Sequence, residues 1–323
     1  MLKSFGSRVR GNVDGSPNVG GNARGGRRRS LVVGLTLAAF GALVLSVSAA
    51  SAAVLHPSLV RTIATSAYTP SSPDPSGIAY RGSIGRFVIS DSEVEETPLF
   101  ANFNLFTAAR TGGGTGTGNT TAYSREPTDL GINPANGNLF ISDDDRDRIF
   151  IVAQGRDGRH GTADDTVRNF RTSTFGATDP EGVVYDPVTK HLFVSDGAGI
   201  EIYNINPVNG VFGDGNDTVT HFDVARYGAG DVEGVGLDPN KGRLLAVDPN
   251  THAIYELGKG GALTNVLDLS AIPTTRSLIA DVTMAPTSST TDPASALDYW
   301  IVDRHRDNNA TPNENDGLLY EMR

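Results

Sequence analysis

The chain has 323 residues and no cysteine, which excludes a disulfide scaffold, a thiolate metal site and a cysteine nucleophile. Its 27 Lys plus Arg stand against 37 Asp plus Glu, a net charge of −10. That balance disfavours nucleic acid and anionic membrane as partners and favours cations.

Residues 1–53 read as an export signal. Arg24, Arg27, Arg28 and Arg29 precede an uncharged, mostly apolar run over 31–47, and the small residues Ala50, Ser51 and Ala52 follow. The arginines with Ser30, Leu31 and Val32 resemble a twin-arginine signal, with cleavage expected after Ala52 or Ala53. The alternative is an uncleaved anchor, because about 18 apolar residues just span a bilayer. Loss of residues 1–52 leaves 20 Lys plus Arg against 36 Asp plus Glu, a balance of about −16. The expected location is periplasmic, cell-surface or secreted, in a bacterium.

Residues 54–323 form one expected domain, organised by a cassette that recurs about every 50 residues. Its copies begin at Asp74-Pro75-Ser76-Gly77-Ile78, Glu126-Pro127-Thr128-Asp129-Leu130, Asp179-Pro180-Glu181-Gly182-Val183 and Asp231-Val232-Glu233-Gly234-Val235, with a degenerate copy at Ile279-Ala280-Asp281-Val282. Each is followed by a turn and a second apolar run ending in Asp91, Asp143, Asp196, Asp248 or Asp303. Short apolar runs at this period, separated by Gly, Pro, Asn and Asp, predict the four-stranded antiparallel blades of a β-propeller. In the third copy the strands are expected at 182–185, 192–195, 200–205 and 218–222; the second supplies 148–152 and 166–170, the fourth 253–257 and 263–267. The last copy has three strands, ending at 317–321. Segment 60–67 is expected to complete it and so remove the free sheet edges. The count is five blades. Six would require a blade in 107–124, which is mostly Gly and Thr and reads as a loop.

Antiparallel order puts the start of each inner strand and the end of each second strand on one face. Glu181 and Glu233, beside glycines at the channel mouth, have no turn role, whereas Asp129 and Asp281 carry the acid one residue later. These four are candidate metal ligands, because clustered carboxylates repel one another unless a cation neutralises them. The aspartates ending the second strands are expected to cap their own turns. A long loop on this face carries Arg304, His305 and Arg306, candidates for anion stabilisation and acid–base work, and runs on through 307–317. On the opposite face two hairpins in register offer Asp157, Asp164 and Asp165, and Asn209, Asp214 and Asp217, as oxygen ligands for Ca²⁺. The alternative there is simple turn chemistry.

The cassettes and the two hairpins resemble secreted bacterial β-propellers of the broad NHL-repeat, SdiA-regulated and esterase-like phytase group, over residues 60–323. Gluconolactonase-like propellers hold a catalytic divalent ion in the channel with a Glu near an inner-strand start, a role the resemblance assigns to Glu181 and Glu233. Phytase-type propellers bind phosphate through calcium and basic residues, which implies Arg125, Arg304 and Arg306. The chain lacks a Gly-x-Ser-x-Gly elbow, a His-Glu-x-x-His helix and a phosphate-cradling Gly-Lys-Ser/Thr loop, and its six histidines form no spaced cluster. Two functions follow as expectations: a monomeric calcium-binding propeller that scaffolds or binds a small molecule or extracellular partner, or a metal-dependent hydrolase of phosphate esters or lactones.

Overall fold

The alternating and continuous apolar runs of the cassettes become five sheets in a computed structural model that describes residues 52–293, 295–306 and 311–323. Blade 1 comprises Pro75–Arg81, Arg86–Asp91, Leu105–Ala108 and Gly114–Gly118. Blade 2 comprises Leu130–Ile132, Leu139–Asp143, Arg148–Ala153 and Thr166–Arg171. Pro180–Asp186, His191–Asp196, Glu201–Asn206 and Thr218–Asp223 make blade 3. Blade 4 is Val235–Asp238, Arg243–Asp248, Ala253–Leu257 and Leu263–Asp268, and blade 5 is Ile279–Pro286, Leu297–Asp303, Leu318–Met322 and the N-terminal Leu59–Ala64. The ring is therefore a five-bladed all-β propeller, closed as expected by pairing the N-terminal strand with the C-terminal one.

Two local expectations are corrected. Segment 107–124 is not only loop: Gly-Thr-Gly-Thr-Gly at Gly114–Gly118 is the outer strand of blade 1, its weak propensity overridden by pairing with Leu105–Ala108. The closing strand ends at Ala64, and Thr65–Ala67 turn as a short 3₁₀ segment. Blade 4 also gains a fifth strand, since Ala53–Leu55 pairs in parallel with its outer edge. The export segment, apart from Ala52 and Ala53, lies outside the described residues. Among those described, no helix is long and apolar enough to cross a membrane.

The core is distributed as five wedges, one between each pair of neighbouring blades. This is why the second strands are apolar on consecutive residues: Phe87, Val88 and Ile89 pack against a different neighbour on each side. The wedge between blades 5 and 1 is filled by Trp300, fully buried, with its ring 4.8 Å from that of Phe87. At the axis, glycine permits close approach. A methyl placed on Gly77 would lie 2.5 Å from the Asp129 Cα of blade 2, and one on Gly234 would lie 2.6 Å from the Asp281 Cα of blade 5.

Candidate functional site

The inner-strand starts and second-strand ends meet on one face, as the strand order requires. Each second strand ends in a buried aspartate that works for the backbone, as expected. Asp196 accepts from the Gly199 amide of its own turn at 2.9 Å and from the Thr178 amide of the incoming chain at 2.9 Å. Asp248 does the same with the amides of Asn250 (2.9 Å) and Gly230 (2.8 Å), and Asp303 with those of His305 and Leu278, both at 2.8 Å. Asp91 accepts from the Asp74 amide at 3.0 Å, and Asp143 from that of Arg146 at 3.0 Å. These aspartates tie the turns of this face to their own strands.

Asp129 and Asp281 sit deeper, fully buried in the channel. The amides of Ile78, Leu130, Val183, Val235 and Val282 occupy the same cassette position in the five inner strands, and the two side chains collect them all. Asp129 accepts from Leu130 (2.5 Å), Val183 (2.7 Å) and Val235 (3.4 Å); Asp281 accepts from Ile78 at 2.8 Å and from Val282. The two carboxyls are buried neighbours whose charges act on each other, and like charges held this way do not both ionise, so one keeps a proton. Burial raises the proton affinity of both, and for Asp281 the neighbouring Asp129 charge adds to it. Both Asp129 oxygens and Asp281 Oδ2 accept from these amides. The pair forms an axial plug, and neither residue belongs to the carboxylate grouping at the mouth.

Above the plug, three carboxylates converge. Oxygens of Asp144, Asp179 and Glu181 lie within 4.8 Å of one another, the one such grouping of His, Asp and Glu among the described residues. Burial raises the Glu181 pKa well above normal, reinforced by Glu233 and Asp144 and opposed by Arg304. Asp144 is pushed up to about 7 by burial, then by Asp179, Asp143 and Asp145. Asp179 is raised by burial and by Asp196. Beside them Glu126 rises to about 9, through burial and the charges of Asp144, Asp145 and Glu93.

Glu233 does not join the three. It pairs with Arg304 at 3.2 Å, and both side chains are 15% exposed. Burial alone would lower the Arg304 pKa, but Glu233, Glu181, Glu93 and Asp74 outweigh it and the guanidinium is held charged. Its charged neighbours belong to blades 1, 3 and 4 and its own chain segment to blade 5, which places it over the axis. His305 instead faces Asp316 at 3.6 Å, and Arg306 pairs with Glu314 at 3.0 Å within their own loop, whose residues 307–310 lie outside the described set. Arg125 is exposed beside Glu95 at 3.9 Å.

In the opposite-face hairpins the side-chain oxygens accept from amides of their own loops. Asp164 accepts from the Arg156 amide (2.7 Å), Asp165 from Gly161 (2.7 Å) and Asp157 from Arg159 (2.9 Å). Asp217 accepts from Gly213 at 2.7 Å, Asn209 from Val211 at 3.0 Å, and Asp214 from Asn216 at 3.0 Å. Hydrogen bonds of this kind are the turn chemistry of Asp and Asn in tight loops.

Sequence reasoning missed Asp144, Asp179 and Glu126 as site residues. The signal was present: Asp179 and Glu126 head their cassettes, and Asp144 lies within an Asp-Asp-Asp run following a second strand.

No protein-family profile and no curated protein matches the chain. Among solved structures, it is similar to selenomethionine-substituted virginiamycin B lyase from Staphylococcus aureus, at 11% identity over 81% of this chain and 98% of that one, with a TM-score of 0.43. A nidogen/laminin complex chain gives 17% identity over 77% and 83%, with a TM-score of 0.45. A luciferin-regenerating enzyme gives 13% over 76% of each chain and a TM-score of 0.45. These include enzymes and a binding protein, and at such distances no activity passes from them to this chain.

Proposed function

We propose that this protein is an exported propeller that binds a divalent cation at the channel mouth and uses it to hold an oxygen-bearing ligand. The observation that carries this reading is the uneven neutralisation of the mouth. Arg304 makes its direct ion pair with Glu233 and reaches Glu181 only as a neighbouring charge, while Asp144, Asp179 and Glu181 converge without a salt bridge of their own among the described residues. An all-oxygen set without Cys or His suits a hard ion such as Ca²⁺, Mg²⁺ or Mn²⁺, and three protein ligands leave positions open to a ligand. The ion replaces the protons that burial and mutual repulsion otherwise keep on these acids.

Metal-dependent hydrolysis of a phosphate ester or lactone is the second reading, and Glu126 favours it. At about 9 its pKa keeps it protonated at neutral pH beside the same cluster, as a general acid requires. The cation would polarise the substrate and Arg304 would stabilise developing negative charge.

Calorimetric titration with Ca²⁺ and Mn²⁺ tests the site. Binding is expected to weaken at least tenfold in Glu181→Gln and Asp144→Asn and to survive in Asp157→Asn and Asp214→Asn. The reverse pattern would move the ion to the hairpins and end the proposal. Turnover of phosphomonoesters or lactones, lost in Glu126→Gln while cation binding persists, would select the hydrolase.

A further inference from the structure

A large cavity lies away from the acidic mouth. It opens at the other end of the channel, below the axial plug, as a funnel of about 460 Å³ to which all five inner strands contribute. Tyr80, Ile132, Tyr185, Leu237 and Met284 give it an apolar wall, and the one charged residue lining it is Arg81. A second recess of about 340 Å³, between blades 1 and 2, is also bordered by Arg81 and adds Arg159. Gly116 and Gly118 of the glycine–threonine strand line this recess, and their missing side chains help keep it open.

The charge here is inverted relative to the rest of the molecule. No carboxylate lines either cavity, in a chain whose net charge is −10. Arg81 donates to Gln154 Oε1 at 2.8 Å and to the Gly158 carbonyl at 3.1 Å, and Arg159 donates to the Thr117 carbonyl. These acceptors are all neutral, so both positive charges stay uncompensated by a direct ion pair. His160 between them donates Nε2–H to the Gly137 carbonyl at 2.9 Å, and burial lowers its pKa to about 4, so it adds no charge. Acids of the neighbouring loops are engaged elsewhere, Asp157 by the Arg159 amide. Asp164 and Asp165 bond their own loop's amides, Asp186 pairs with Lys259 at 2.5 Å, and Asp238 pairs with Lys241 at 3.4 Å.

We propose that this mouth binds a small organic acid with an apolar body, the chain or ring filling the funnel and the carboxylate directed at Arg81 and Arg159. The funnel's volume falls within the range of about 300–1,000 Å³ typical of small-molecule sites, and an apolar wall with few placed polar groups is their usual composition. Arginine without a carboxylate partner, beside an apolar wall, selects an anion over a neutral molecule.

Calorimetry of the full-length chain with hexanoate, octanoate and decanoate, and with the matching primary alcohols, tests this. EDTA is included so that a cation at the opposite mouth contributes nothing. Acids are expected to bind about fourfold tighter per added methylene until the funnel is full, and at least tenfold tighter than the alcohols. Leu237→Trp, which fills the funnel, should abolish binding, and Arg81→Gln should remove the preference for acid over alcohol. If the Arg81 variant does not fold, the acid–alcohol comparison in the unmodified chain still decides. Absence of binding, equal affinity for acids and alcohols, or undiminished binding in a folded Leu237→Trp variant would overturn the proposal.

Discussion

Replacing Asp281 separates the two roles of the axial plug, hydrogen bonding and proton storage. Asp281→Ala removes the acceptor for the Ile78 and Val282 amides, both buried at the axis. Each orphaned donor costs about 1–3 kcal/mol, so a loss of about 2–6 kcal/mol is expected, a large share of the 5–15 kcal/mol typical of a domain. Asp281→Asn keeps an acceptor for these amides and offers Asp129 a permanent N–H in place of the shared proton, so at pH 5 its stability should lie within about 1 kcal/mol of the unmodified protein. The two proteins then diverge with pH. The folded pKa of Asp281 is raised well above its ordinary value, so between about pH 4 and that raised pKa the folded state holds a proton that the unfolded state has released. The stabilisation is complete below the unfolded pKa and is lost as pH rises, at about 1.4 kcal/mol per pH unit for one proton. The Asn variant has no such proton to hold, so it should gain on the unmodified protein as pH rises above 5, at up to about 1.4 kcal/mol per pH unit. Urea melts in EDTA across that range measure the difference. Parallel pH profiles, or an Asn variant as weak as the Ala variant, would refute the shared-proton plug.

Gly77→Ala should lose about 3 kcal/mol in a denaturant melt, because its methyl would meet the Asp129 backbone at 2.5 Å, whereas Gly260→Ala, with nothing within 4 Å, should be near neutral. Cation binding should release protons from Glu181 and Asp144, whose pKa values are raised, the latter to about 7. Affinity should therefore climb across pH 6–8, and the calorimetric heat should change with the ionisation enthalpy of the buffer. Arg304→Gln leaves Glu233 and Glu181 without their guanidinium. A drop of roughly 10 °C in melting temperature is expected without cation, and saturating Ca²⁺ should shrink it.

Repetition makes the fold readable from the residues alone. The cassettes give blade number and face assignment, because one copy's pattern constrains the others. Where a segment departs from the pattern the reading fails: Gly114–Gly118 has neither apolar alternation nor β-branched continuity, and only its neighbour's open edge makes it a strand. The site was half legible for the same reason. Glu181 and Glu233 stand out by breaking the repeat, yet the sequence cannot say that one joins Asp144 and Asp179 while the other is taken by Arg304. That division depends on where one long loop places a side chain over the axis. Asp129 and Asp281 were visible as exceptions too, but their partners include backbone amides of blades 1, 3 and 4, and no spacing encodes them.

The clasp in blade 5 has a consequence for biogenesis. Leu59–Ala64 meets Leu318–Met322, and Ser58 and Arg323 exchange backbone hydrogen bonds at 2.6 and 2.9 Å. During synthesis the first strand of the ring must wait, unpaired, while some 250 residues emerge and blades 1 to 4 form. Closing so long a loop carries an entropic penalty that grows only logarithmically with its length, so the wait is tolerable, but the exposed wedge faces of blades 1 and 5 remain sticky until the clasp shuts. A ribosome-bound chain stalled before residue 318 should therefore be protease-sensitive in blade 1 and become resistant when the last strand is released.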